Sequence, residues 1–165
     1  MRDPFPEARG RASLRVVCIG NRWRSDDGAG LAVGARLDGT LPPGASLDAR
    51  EGEPTALLDA WERADSLWLV DAVSSGGVPG AVHRLDASDR ELPAELFRAS
   101  THHIGLAEAV ELARALGRLP ERTIVYGIEA GSFAVGNELS PPVALAVERV
   151  ADAVREEVEA CTKRH

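Results

Sequence analysis

The residues of this chain whose types and spacing could do chemistry are Asp26, Asp27, Asp71, His102 and His103. The first two stand in "VVCIGNRWRSDDGAGLAVGARL" (16–37), where an apolar run ends at Gly20, a polar loop follows and a helix-like segment begins. That is the opening of a nucleotide site, yet carboxylates occupy the point where a phosphate would sit. Asp71 interrupts "LWLVDAV" near the carboxyl end of a strand that should be buried, where an unpaired charge is costly. α/β domains build sites at the carboxyl ends of parallel strands, and the loop carrying Asp26 and Asp27 leaves the first strand at that same edge. His102 and His103 follow in "ASTHHIGLAEAV", just before a helix. Adjacent side chains point differently, so only one of the two suits a given ion. Two carboxylates and one imidazole from three separated segments match a transition-metal set with open coordination positions. Spacing alone reads as a metal- or carboxylate-dependent hydrolase.

Each of these residues also has a structural reading. Asp26 and Asp27 could cap the following helix, whose positive end favours carboxylates. Asp71 could serve a backbone amide. His83, in a weak strand, reads as structural or surface, and His165 is terminal. Other chemistries fit less well. Gly28, Gly30 and Gly34 give G-x-G-x-x-x-G, one residue off the dinucleotide fingerprint, after a polar loop instead of a tight turn. They are expected to let the helix start pack closely on the sheet. No G-x-x-x-x-G-K-[ST] and no G-x-S-x-G occurs, and neither Cys18 nor Cys161 has a base nearby in the pattern.

The elements that must position these residues are legible as alternating strands and helices. "LRVVCIG" (14–20), "SLWLVDAV" (66–73) and "TIVYGIEA" (123–130) are nearly continuous apolar runs, as expected of parallel strands covered on both faces. "ASLDAREG" (45–52) and "GAVHRL" (80–85) are weaker candidates, the first suited to a sheet edge. Helices are expected over 28–38, over 54–64 opening with Pro54, and over 105–117, with Leu106, Val110, Ala113 and Leu116 on one face and Gly117 as C-cap. A last helix has Ser140 as N-cap, Pro141 at its first position and Val143, Val147, Val150, Val154 and Val158 as one apolar stripe. The pattern predicts an α/β three-layer domain with a twisted, mostly parallel sheet flanked by helices on both faces. A flexible segment is expected over 1–13 and one domain over 14–162.

At 165 residues the chain suits one domain with a sizeable core, and its 44% hydrophobic and 27% charged residues are ordinary for a globular protein. The formal charge of -7 disfavours nucleic acid or an anionic membrane as the main partner. The two distant cysteines form no disulfide framework and fit a reducing compartment. The polar N-terminus lacks an apolar signal region, and no window approaches the ~18 apolar residues of a membrane span. A cytoplasmic monomer is expected.

Four blocks, in order from about residue 14 to 155, resemble the hydrogenase maturation proteases. "CIGNRWRSDDGAG" is similar to that family's opening GxGN and DDGxG elements, and "LVDAVSSGGVPG" to its VDAV block. "STHHIGLAEAVELARALGRLP" resembles the S-x-H-x-x-GL block, and "VYGIEAGSFAVGNELSPPV" the closing GIE to LS-x-x-V block. The resemblance implies an endopeptidase that removes the C-terminal extension of a nickel–iron hydrogenase large-subunit precursor after nickel insertion. By motif position it implies that Asp27, Asp71 and His102 grip nickel supplied by the substrate, with Zn or Cd able to substitute in the free enzyme. His103 then occupies a position usually held by another polar residue, and the amide of Asn21 could orient the loop. Asp27 and Asp71 are the catalytic candidates. Either the metal polarises the scissile carbonyl or activates water, or the two aspartates share a proton as an aspartic-type pair. A non-catalytic, nickel-dependent docking module for the same precursor is the alternative. Two stretches depart from the family pattern. "EGEPTALL" stands where G-T-x-G is expected, in a region implied in substrate engagement, and Arg22, Trp23 and Arg24 replace smaller apolar residues.

Overall fold

The computed structural model describes residues 13–51, 57–97 and 105–164. Its strands are β1 (Leu14–Gly20), β2 (Ala45–Glu51), β3 (Ser66–Val73), β4 (Val82–Asp86) and β5 (Arg122–Glu129). Its α-helices are α1 (Ala29–Leu37), α2 (Leu57–Ala60), α3 (Leu106–Ala115) and α4 (Pro141–Thr162), with 3-10 turns at Ser25–Gly28 and Ala94–Phe97. The strands form one sheet in the order β2-β1-β3-β5-β4. All neighbours are parallel except β4, which runs antiparallel to β5.

Period-two alternation divides the strand side chains between two cores. Leu14, Val16, Cys18, Trp68, Val70, Ile124, Tyr126 and Ile128 pack with α1 and α4. Val17, Ile19, Leu67, Leu69, Val73 and Val125 pack with α2 and α3. The central strands are therefore buried on both faces, which is why they read as continuous apolar runs. The outer strands β2 and β4 are only partly covered and read as weak alternations.

Helix α4 buries its five predicted valines, each worth about 1.5–3 kcal/mol relative to exposure. A polar staple adds to that stripe. The Glu157 carboxylate accepts from Trp68 Nε1 at 3.0 Å, Tyr126 Oη at 2.5 Å and the Arg84 guanidinium at 2.7 and 3.1 Å, tying α4 to β3, β5 and β4.

Close approach of α1 to the sheet depends on Gly30, where a Cβ would overlap the Ile19 carbonyl oxygen and lie 2.8 Å from that of Val70. The glycine pattern thus serves packing, as expected. α3 ends in a Schellman motif: Gly117, at φ +66°, donates to the Arg114 carbonyl, and the Arg118 amide reaches back to Ala113.

Three expectations need correction. Within the described part of 54–64, helix α2 spans only Leu57–Ala60, and the chain turns through Arg63 at φ +66°. Leu116 is exposed: it is the C-cap of α3, one residue past Ala115, and the last buried residue of the helix is Ala113. Ser140 holds the N-cap position of α4 without a side-chain bond to that helix; its hydroxyl is used elsewhere. Among the described residues, no helix is long and apolar enough to cross a membrane.

Candidate functional site

The carboxyl ends of β1, β3 and β5 open onto three loops, and the carboxylates gather there. Asp71 lies in β3 opposite Gly127 of β5. It shares its sheet face with Leu67, Leu69 and Val73, the face covered by α2 and α3. The residue keeps some surface, but its carboxyl is enclosed. Burial pushes its pKa well above the usual carboxylate value, the nearby Asp27 charge pushes it further, and a hydrogen bond from the Ala72 backbone opposes both.

Asp27 arrives from the loop after β1, at the 3-10 turn Ser25–Gly28. The loop folds back on its own strand. The Asn21 backbone N–H donates to the Asp27 carbonyl at 3.0 Å, and Asp27 N–H donates to the Arg24 carbonyl at 3.1 Å. A side chain at position 20 would overlap the Asp27 carbonyl. Asn21 Oδ1 accepts from Trp23 N–H at 2.9 Å, an Asx turn that shapes the loop. An Arg24 guanidinium nitrogen stands 3.9 Å from Asp27 Oδ2, and that guanidinium also lies over the Phe133 ring. Arg22 pairs with Glu51 at the end of β2, leaving Trp23 exposed on the rim.

Asp26 and Asp27 do not cap α1 with their side chains. Asp26 turns the other way from what capping requires and is fully buried. Its Oδ2 accepts from Gly131 N–H at 2.8 Å, Ser132 N–H at 3.0 Å and Ser140 Oγ at 2.8 Å, while Oδ1 accepts from Ser140 N–H at 2.7 Å. Sequence reasoning missed this role, and no local signal could reveal it, because every donor is more than 100 residues away. Glu129 was missed too. It is buried at the end of β5 and accepts from Ser75 N–H and Oγ, Gly77 N–H and the His83 ring. Burial pushes its pKa up, but these partners outweigh burial and hold it below the usual glutamate value. The signal that singled out Asp71, a carboxylate ending an apolar run, applies equally to Glu129. His83 has a structural part as its partner.

His102 and His103 lie outside the described residues. The helix that follows them, α3, packs on the face that carries Asp71. Among the described residues no group of three or more His, Cys, Asp or Glu is set to hold a metal. Cys18 is remote from this chemistry: burial, helped by Asp48, pushes its thiol up to about 12. What the described site offers is two neighbouring carboxylates, one of them enclosed. Such a pair is relieved in two ways, by sharing a proton or by taking up a cation.

The profile of the hydrogenase maturation protease family matches residues 52–157. A hydrogenase expression/formation protein, HupD, from Rhodobacter capsulatus is 30% identical over 147 residues, covering 86% of this chain and 69% of its own. The hydrogenase 3 maturation protease of Escherichia coli is 28% identical over 148 residues, 82% of this chain and 84% of that protein. The structure superposes on the hydrogenase maturating endopeptidase HybD from E. coli with a TM-score of 0.72 at 26% identity, covering 87% of this chain and 93% of the other. With the described parts of the four sequence blocks in order on this fold and a profile match over residues 52–157, the chain belongs to the hydrogenase maturation protease family, and is a peptidase.

Proposed function

We propose that the protein removes the C-terminal extension of a nickel–iron hydrogenase large-subunit precursor once nickel has been inserted. The observation that carries this reading is the pairing of Asp27 with an enclosed Asp71 whose pKa is raised partly by that neighbour. Such a pair has a strong electrostatic reason to accept a cation, and nickel held in the precursor is one. His102, four residues before α3, supplies the third ligand in this reading, and Asn21 keeps the Asp27 loop in shape.

Two chemistries remain compatible with the pair. In one, Asp27, Asp71 and His102 hold the substrate's nickel, which polarises the scissile carbonyl or activates the attacking water. In the other, the proton shared by the pair rests on Asp71, whose pKa is the raised one, and is donated toward the carbonyl oxygen, while Asp27 takes a proton from the attacking water. We favour the metal-reading form. The free protein then carries no resident metal, Zn or Cd occupies the same ligands when added, and the protein acts as a cytoplasmic monomer without nucleic acid or membrane as partner.

The test is to incubate the purified protein with nickel-loaded precursor and weigh the large subunit by mass spectrometry. Loss of a C-terminal fragment is expected. Stable complex formation without a change in mass would make the protein a nickel-dependent docking module and end the protease reading for this chain.

A further inference from the structure

The loop after β1 and the loop between β5 and α4 are joined along their length. Ser25 N–H donates to the Gly136 carbonyl at 2.8 Å, and Gly136 N–H donates to Trp23 at 2.9 Å. Ser25 Oγ donates to Ala134 at 3.0 Å, and Asp26 N–H donates to Ser132 at 3.1 Å. At the inner end sits the Asp26 carboxylate, with its four donors from Gly131, Ser132 and Ser140. Ser25 is held at φ +49°, in the left-handed region that strains a non-glycine residue. The strain has a geometric result. The chain reverses at Ser25, so Asp26 enters the gap between the loops while the next residue, Asp27, comes to the Asp71 side. A buried carboxylate with four well-made hydrogen bonds at 2.7–3.0 Å has almost no freedom to shift.

We propose that Asp26 is a positioning residue: by locking the β1–α1 loop to the β5–α4 loop it fixes the Asp27 carboxylate opposite Asp71, without itself meeting the substrate. The proposal rests on the reading of Asp27 and Asp71 as the working pair. Ser140 is the other half of the lock. Its N-cap position on α4 gives it a rigid base, and its hydroxyl is committed to Asp26 instead of to the helix. The long helix α4, packed across β3 and β5, thereby becomes the reference against which Asp27 is set.

The test compares wild type, Asp26→Asn and Ser140→Ala. Asp26→Asn keeps one acceptor but turns an amide NH2 toward donors. Ser140→Ala removes a single bond and leaves the buried carboxylate with three. The first readout is kcat and KM on nickel-loaded precursor, per folded molecule as counted by circular dichroism. The second is Cd²⁺ affinity by calorimetry, with no substrate present. For Asp26→Asn we expect kcat to fall about 10- to 100-fold with KM little changed, and Cd²⁺ affinity to fall about 10-fold, as for groups that orient ligands. Ser140→Ala should shift both in the same direction by less. If both variants keep wild-type kcat per folded molecule and wild-type Cd²⁺ affinity, Asp26 merely holds the fold and the proposal is overturned. Should Asp26→Asn fail to fold, Ser140→Ala decides on the same two readouts. A wild-type protein that leaves the precursor uncut refutes the proposed function separately. The Cd²⁺ arm then decides alone: a drop in the variants supports positioning, and no drop, or no Cd²⁺ binding by wild type, overturns it.

Discussion

Asp71 works against the stability of the domain it belongs to. Burial and the Asp27 charge raise its folded-state pKa, so the folded chain keeps a proton that the unfolded chain gives up. Stability therefore falls as pH rises from the ordinary aspartate value of about 3.9 to the raised one, and stays lower above it. Asp71→Asn removes that penalty. Its urea midpoint should exceed the wild type's, by more at pH 8 than at pH 4, while processing of the precursor is lost. A midpoint gain that does not grow with pH would sink the assignment of Asp71 as a strained, enclosed carboxyl. The same residue scale holds the histidine question. Asp27→Ala, Asp71→Ala and His102→Ala should each abolish processing with the fold largely intact, and His103→Ala should be much milder. A processing assay in which His103 proves essential and His102 dispensable would move the ligand by one position.

At the level of elements, legibility followed the distance over which the deciding interactions act. β1, β3 and β5 were readable because burial on both faces imposes continuous apolar runs on the strands themselves. α4 was readable from its valine stripe and its Ser-Pro start. The antiparallel direction of β4 was not, since nothing in Val82–Asp86 records which neighbour it meets. Asp71 could be singled out because a charge in an apolar run is anomalous locally, whereas Asp27, in a polar loop, was picked out only by its place in the family's motif. The role of Asp26, beside it, could not be read, because its meaning comes from donors over 100 residues away. Glu157 is a similar long-range feature, and it allows a test of how α4 is held. Burial raises its pKa, but hydrogen bonds from Arg84, Tyr126 and Trp68 outweigh that and leave it lowered. The stabilisation it gives is complete above the ordinary glutamate value of about 4.3 and is lost as pH falls through the lowered folded value. Glu157→Gln should thus cost about 1–3 kcal/mol at pH 7, as losing the charged acceptor of a half-buried polar network does. The difference from wild type in thermal melts should shrink as pH drops below about 4.3. An equal loss at pH 7 and in acid would mean that shape, and not charge, fastens the helix.

For the whole molecule the question is what prevents a peptidase from cutting before its substrate is ready. The described chain shows paired carboxylates at the mouth of a sheet but no complete metal cage among its described residues. If Asp27, Asp71 and His102 together hold nickel, three ligands with open positions bind free metal weakly, and the precursor must bring both the ion and the remaining ligands. Readiness of the substrate is then read directly: a precursor without nickel brings no ion for Asp27 and Asp71 to grip. Three substrates separate this from an aspartic-type pair: nickel-loaded precursor, nickel-free precursor, and a short metal-free peptide spanning the junction, each given to chelator-treated enzyme. Only the first should be cut. Added Zn²⁺ or Cd²⁺ should inhibit by filling the ligands, since sites of nitrogen and oxygen discriminate poorly among these ions. Acidification should relieve that inhibition, because protons compete with the ion for the carboxylates and the imidazole that would hold it. Efficient cleavage of both nickel-free substrates would overturn the gating while leaving the peptidase in place, and would transfer the chemistry to a proton shared between Asp27 and Asp71. In that case Asp71, kept protonated by its enclosure, would act as the acid, and activity would disappear at high pH as that proton is finally lost.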